Sequence, residues 1–285
     1  MAKISYVDGL YLHYKDSKIH IEDRGYHFGD AIYEVVMFNE GIFFDYDEHI
    51  KRLLRSLKSL NITLPISCKS LKIIIKNVIK KNKVVFGSVY IQVSRGVAQR
   101  NHSYKNLTLK PIIIISVTEK NNNYLNNFIG VSAITLNDNR WARPDIKTTQ
   151  LLPNILAKTI ADEKGAYEAI FVDQDDYITE GSSSNIWIVN YDNELITRNL
   201  DGQILSGITR NSVKNCAMQN NIKLLERKFS KDELLTAKEV FLTSATSFVT
   251  PIVKIDNSSI NNGLIGELSC SLRELYLKAM KTSNY

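Results

Sequence analysis

Thr179-Glu180-Gly181-Ser182-Ser183-Ser184-Asn185 is the stretch from which the rest of the chain is read. Ala169-Ile170-Phe171-Val172 precedes it across the turn-like Asp173-Gln174-Asp175-Asp176, and Ile186-Trp187-Ile188-Val189 follows it. Short apolar runs bounded by turn residues read as buried strands. Glu180 is then a carboxylate among hydroxyls and a glycine, between two buried strands. An unpaired buried charge is costly, so this carboxylate needs a permanent partner. A loop of small polar residues capping a strand would explain the same seven residues without any chemistry.

A lysine upstream favours chemistry. Arg140-Trp141-Ala142-Arg143-Pro144-Asp145-Ile146-Lys147-Thr148-Thr149 leads into Leu151-Leu152-Pro153-Asn154. The protonated ring nitrogen of pyridoxal 5′-phosphate (PLP) would be a suitable partner for Glu180, because enzymes tune that electron sink with a charged side chain. Together with Thr179–Asn185, the lysine segment closely resembles the fold-type IV PLP enzymes. These include D-amino-acid aminotransferases, branched-chain aminotransferases and aminodeoxychorismate lyases. The resemblance runs in the family's order from Glu22-Asp23-Arg24-Gly25 to Thr250-Pro251. It implies an α/β (α+β) two-domain fold of the D-amino-acid aminotransferase type. A small N-terminal α/β domain would be followed by a larger C-terminal, β-barrel-like α/β domain that binds PLP.

Composition sets the outer bounds. The 285 residues suit one large domain or two modest ones, and a hydrophobic content of 44% is ample for a core. The net charge of +6 suits acidic substrates. The lysines are scattered, and no zinc-finger spacing or aromatic RNA-binding signature accompanies them, so no nucleic-acid partner is expected. Cys68, Cys216 and Cys270 are odd in number and lack Cys-x-x-Cys spacing, which points to unpaired thiols in a reducing compartment. The first nine residues carry no apolar secretion core, and no apolar run approaches membrane-spanning length. The expected location is the cytoplasm, with no membrane partner. His13, His20, His27, His49 and His102 show no metal-binding spacing, so no metal is expected. Walker, Gly-x-Gly-x-x-Gly and Gly-x-Ser-x-Gly motifs are missing.

In chain order, short alternating segments around Asp8-Gly9 signal a hairpin. Asp23–Asp30, with two glycines, reads as a tight loop. Ala31–Phe38 reads as a strand with Tyr33 and Val35 on one face. A helix over Asp45–Leu60 presents Ile50, Leu53, Leu54, Leu57 and Leu60, with Asp45 or Asp47 as its cap. Arg52 lies off that stripe, where a solvated arginine is the common outcome. A second helix covers about Ser70 to Asn82, and a strand Val84 to Ser94. Thr118–Asn123, polar and aperiodic, is the best linker, which places the domains at 1–120 and 121–285. The second half opens with a strand from Asn127 to Leu136. The helix that starts near Pro153 presents Leu152, Ile155, Leu156 and Ile160 toward a core. Leu205-Ser206-Gly207-Ile208-Thr209-Arg210 opens a further helix, and a helix N-terminus suits an anion. Glu239–Leu242 is a strand running into Thr243-Ser244-Ala245-Thr246-Ser247, and a last helix covers about Gly266 to Thr282.

By resemblance, Lys147 holds the cofactor covalently and shuttles the substrate's α-proton, while Glu180 keeps the ring nitrogen protonated. Arg52, Ile208, Thr209, Ser244 and Ala245 bind its phosphate. Ala245 stands where the family's D-aminotransferases commonly have a threonine, so a side-chain contact is missing there. Arg100-Asn101-His102, an Arg-x-His pair like that of the D-amino-acid subgroup, traps the substrate's α-carboxylate with Tyr33. In that subgroup the Arg95–His102 loop reaches into the neighbouring subunit's site, which implies a homodimer. Trp141 packs either near the cofactor or in the core. The expected reaction is transamination of D-alanine with 2-oxoglutarate, giving pyruvate and D-glutamate. An aminodeoxychorismate lyase or a branched-chain L-amino-acid aminotransferase would share fold and lysine, but the branched-chain enzyme would lack the Arg-x-His pair.

Overall fold

A computed structural model describes residues 4–105, 107–121 and 128–282. Two compact units divide the chain. One comprises Met1–Asn126 with Ile146–Gln150, and the other Asn127–Asp145 with Leu151–Tyr285. The linker candidate begins inside a strand at Thr118-Glu119, and its Asn122 and Asn123 lie outside the described residues, as does Asn127.

The first unit opens with the hairpin β1 (Ile4–Val7) and β2 (Leu10–His13). Asp8 and Gly9 turn it with positive φ of 39° and 106°, the conformation that makes glycine the default at such turns. Asp23–Asp30 is not a plain loop. It holds the short helix α1 (Arg24–Phe28), which Asp23 caps by accepting from Gly25 N at 2.8 Å. β3 (Ala31–Asn39) turns back into β4 (Ile42–Phe43). The helices α2 (Tyr46–Ser59) and α3 (Cys68–Asn82) precede β5 (Phe86–Ser94) and β6 (Ile112–Glu119). The antiparallel sheet runs β2-β1-β6-β5-β3-β4. β3 and β5 pair from Ala31↔Ser94 to Asn39↔Phe86.

Period-2 alternation turns Ile32, Val36 and Phe38 toward one core with Leu53 and Leu57 of α2 and Leu71, Ile75 and Val78 of α3. The α2 stripe is narrower than expected, because Leu54 is 40% exposed. Asp45 precedes α2 in a left-handed conformation, without a side-chain capping bond. Ile146–Gln150 lies along β3: Tyr33 N donates to Lys147 O and Thr149 N to Ala31 O, both at 3.1 Å.

The second unit contains β7 (Val131–Asn137), α4 (Leu152–Glu163), β8 (Glu168–Val172), β9 (Ile178–Gly181) and β10 (Asn185–Val189). β11 (Leu195–Thr197), α5 (Ile208–Gln219), β12 (Leu224–Glu226) and α6 (Lys231–Leu235) follow. β13 (Glu239–Ser244), β14 (Phe248–Ile255), β15 (Ser258–Ser259) and α7 (Glu267–Thr282) complete it. Among the described residues the sheet has nine strands in the order β12-β11-β10-β13-β14-β7-β8-β9, with β15 beside β14. Gly181 N donates to Ser184 O at 2.7 Å and ties β9 back toward β10, so the sheet curls on itself. Both runs flanking the glutamate stretch are buried strands: β8 and β10 are buried at every position.

One helix faces the other way from the sequence expectation. On α4, Leu152, Ile155 and Leu156 are more than half exposed, and Ile160 is 37% exposed. Ala157 and Ala161 are the buried side, packed with Ile134, Ala169 and Phe171. Two alanines let the helix lie close against β7 and β8, which leaves the bulky stripe outward. Trp141, at 38% exposure, is not a core tryptophan.

Candidate active site

In the first unit Lys147 is half-buried, and its Nζ sits 4.2 Å from the centroid of the Tyr33 ring. The β3 position that carries Tyr33 also donates its backbone N–H to Lys147 O, so the lysine and tyrosine of the sequence reading are neighbours. Tyr33 stacks on Tyr90, with centroids 5.6 Å apart.

Arg52 is buried rather than solvated. Its Nε and Nη2 donate to Glu34 Oε1 and Oε2 at 2.7 and 2.8 Å, and His49 Nδ1 lies 2.8 Å from Glu34 Oε2. Glu34 occupies an inward position of β3 between Ile32 and Val36, where a carboxylate survives only as an ion partner. Burial works to raise its pKa, but the charge and hydrogen bonds of Arg52, with His49 adding to them, outweigh it and hold the carboxyl well below the usual range.

Arg100 and His102 are exposed and converge on one ring. The Arg100 guanidinium carbon lies 5.3 Å from the centroid of Phe28, and the His102 ring 5.5 Å. An arginine and a histidine presented together suit a carboxylate.

In the second unit Glu180 is buried on β9. Its Oε2 accepts from Leu205 N at 3.0 Å and from Asn185 Nδ2 at 3.1 Å. Its Oε1 accepts from Arg140 Nη1. Arg140 also grips Asp138 with Nε and Nη2, at 2.9 and 2.7 Å. Burial raises the pKa of Asp138, but the fork of Arg140 outweighs that and leaves it lowered. One guanidinium therefore serves two carboxylates, and Asp138 takes the bidentate share. The surplus negative charge falls on Glu180. Burial pushes its carboxyl up to about 7, against the pull of Arg140 and the Leu205 N–H. The arrangement has room electrically for a second cation at Glu180.

Sequence reasoning missed the partner of the three serines. Ser183 and Ser184 donate to Glu168 Oε2 at 3.1 and 2.8 Å, and Ser182 donates to Glu168 Oε1. These hydroxyls fix the turn after Glu180 on an internal carboxylate. Asp138 and Arg140, two positions apart on the strand exit, were the readable signal for the Glu180 clamp.

Ile208 and Thr209 are buried at the start of α5, whose N-terminus has no side-chain cap. Gly207 precedes them where a Cβ would stand 2.0 Å from Asn185 Oδ1, so a larger residue would have to displace the amide that Glu180 bonds. The Thr209 hydroxyl is buried and has no hydrogen-bond partner among the described residues. An uncapped helix start with a buried, unpartnered hydroxyl fits a phosphate group. Ser244 ends β13 and Ala245 opens the turn after it, both half-buried, and Ser244 Oγ accepts from Ser247 N at 3.0 Å.

Known proteins place the chain in one family. The family model for class IV amino-transferases matches residues 31–255. The chain is 37% identical over 282 residues to a D-alanine aminotransferase of Staphylococcus epidermidis, covering 99% of each. It is 40% identical over 263 residues to one from Bacillus licheniformis, covering 92% of each. Among solved structures, a T.th. branched-chain amino acid aminotransferase with pyridoxamine 5′-phosphate superposes with a TM-score of 0.89. Its identity is 26%, over 98% of this chain and 94% of that one. The Escherichia coli branched-chain enzyme, 22% identical, shares the fold with a TM-score of 0.88, over 98% of this chain and 95% of that one. Taken each within its own unit, the lysine beside a tyrosine, the buried glutamate and the uncapped helix start have chemistry that suits PLP. The chain belongs to the class IV amino-transferases, and its cofactor is pyridoxal 5′-phosphate.

Proposed function

We propose that the chain transfers the amino group of a D-amino acid, D-alanine first, to a 2-oxo acid such as 2-oxoglutarate, giving pyruvate and D-glutamate. The observation that carries this reading is the exposed Arg100–His102 pair gathered on Phe28, in a chain whose full-length relatives include D-alanine aminotransferases. When bound, PLP supplies an electron sink for the carbon that bears the amino group. Lys147 holds the cofactor and moves a proton off the substrate's α-carbon. Tyr33, against its Nζ, keeps the amine in place and bonds the substrate carboxylate with Arg100 and His102. Glu180 balances a protonated ring nitrogen. The Ile208 and Thr209 N–H groups, the Thr209 hydroxyl, Ser244, the Ala245 backbone and Arg52 bind the phosphate.

Only one enantiomer can give its carboxylate to Arg100 and His102 while pointing its α-hydrogen at Lys147. The test is single-turnover kinetics with both enantiomers of alanine and of glutamate, following the cofactor's absorption. D-alanine and D-glutamate should react about 100-fold faster than their mirror images. Faster reaction of the L forms would favour the branched-chain type of enzyme, whose structures share this fold.

The working form is a homodimer. Its support is the outward apolar stripe of Leu152, Ile155, Leu156 and Ile160 on α4, a surface of the kind that pairs with protein. Sedimentation should find twice the 32.4 kDa chain mass, and a 32.4 kDa species at micromolar concentration would exclude it. The cytoplasm fits Cys68, Cys216 and Cys270, none of which forms a disulfide among the described residues.

A further inference from the structure

Arg24 opens α1, yet its guanidinium serves another segment. It is buried to 3% exposure, too deep for a surface charge. Its Nη1 donates to Asn101 O at 2.6 Å and its Nη2 to His102 O at 3.1 Å. Its Nε donates to Asp30 Oδ2 at 2.9 Å, and its guanidinium carbon lies 4.7 Å from the centroid of Phe28. Those carbonyls belong to the residue between Arg100 and His102 and to His102 itself. The same arginine also holds the base of that loop: Arg24 N donates to Gly96 O at 3.0 Å, beside a bridge between Asp23 and Val97.

Asp30 is the common anchor. Its carboxylate also accepts from Arg95 Nε and Nη2, at 2.7 and 2.9 Å, and Arg95 lies 3.7 Å from the centroid of the Tyr104 ring. One carboxylate thus ties down both ends of the 96–103 segment, which is exposed from Gln99 onward, through two arginines. Phe28 completes the frame, with Arg24, Arg100 and His102 all against its ring. A planar fork bonding two successive carbonyls fixes both position and direction of the backbone. A lysine in its place has one nitrogen and no fixed fork.

We propose that Arg24 is a positioning residue for substrate-carboxylate binding: it holds the Asn101 and His102 carbonyls so that Arg100 and His102 meet the carboxylate together. This rests on the reading of Arg100 and His102 as the carboxylate site. A backbone displaced by about 1 Å at such a site costs on the order of 100-fold.

The test uses the holoenzyme with Arg24→Lys, and with Arg24→Gln as a second variant. Steady-state kinetics with D-alanine and with D-glutamate, PLP dissociation constants and melting temperatures are measured on each, beside Arg100→Ala. The expected result is a KM for both amino acids raised by about 50-fold, with kcat and PLP affinity within about threefold of wild type. The two amino acids should suffer alike, because the carboxylate is what they share. An unchanged KM in both variants, alongside a raised KM in Arg100→Ala, overturns the role of Arg24 alone. Loss of PLP affinity or of melting temperature in step with activity makes Arg24 a residue of the fold and also overturns it. If Arg100→Ala itself leaves the KM for D-alanine unchanged, the carboxylate reading fails, and the role of Arg24 fails with it.

Discussion

Lys147→Ala should lower transamination by about 10,000-fold or more while leaving the fold intact, because covalent attachment and proton transfer are lost together. Lys147 is half-buried beside Tyr33, on a segment that hydrogen-bonds to the backbone of β3 at both ends. Alanine removes the amine without disturbing the Tyr33 N–H bond to Lys147 O, which is a backbone contact. Borohydride reduction of the wild-type holoenzyme, followed by peptide mapping, should find the cofactor on Lys147. A label on a different lysine, or turnover in the alanine variant within about tenfold of wild type, would sink the assignment.

Glu180→Gln should keep cofactor binding and slow turnover on the order of 100- to 1,000-fold, because a neutral amide cannot balance a protonated ring nitrogen. The shape is preserved, but the amide has a single oxygen, so it accepts either from Arg140 or from the Leu205 N–H and turns its NH2 to the other. The cofactor-free protein gives a second reading of the same charge. Burial sets the Glu180 carboxyl at about 7, above its ordinary 4.5. An acid whose pKa is raised on folding contributes stability that is present below the unfolded value and lost as pH rises through the folded one. Cofactor-free wild type should therefore lose about 3 kcal/mol from this group between those two values, and Glu180→Gln should not. Denaturant unfolding of both proteins across that range measures the difference. Parallel curves would mean that folding does not raise the Glu180 pKa.

Much of this was legible in local patterns. The runs on either side of Thr179–Asn185 are strands because Ile, Val, Phe and Trp crowd them, and the Asp8-Gly9 hairpin follows from a turn pair that tolerates positive φ. What the pattern could not supply was the partner on the far side of a contact. The α4 stripe shows which face is apolar but not what covers it, and two alanines decided the matter. Arg52 looked like a surface arginine because its carboxylate, Glu34, lies 18 positions away on a strand that otherwise reads as core. Ser182, Ser183 and Ser184 looked like a polar loop because Glu168 precedes them by a whole hairpin. Arg24 sat in a stretch with two glycines, which hid a five-residue helix and a side chain that reaches 77 positions ahead to Asn101.

Arg140 is shared between Glu180 and Asp138, and the surplus charge this leaves on Glu180 is what the proposed pairing with the cofactor's ring nitrogen needs. The most direct measurement is the nitrogen-15 NMR shift of pyridoxal 5′-phosphate labelled at that ring nitrogen, bound to wild type and to Glu180→Gln at neutral pH. A protonated ring nitrogen in wild type and an unprotonated one in the variant is the expected result. An unprotonated ring nitrogen in wild type, or the same shift in both proteins, would contradict it.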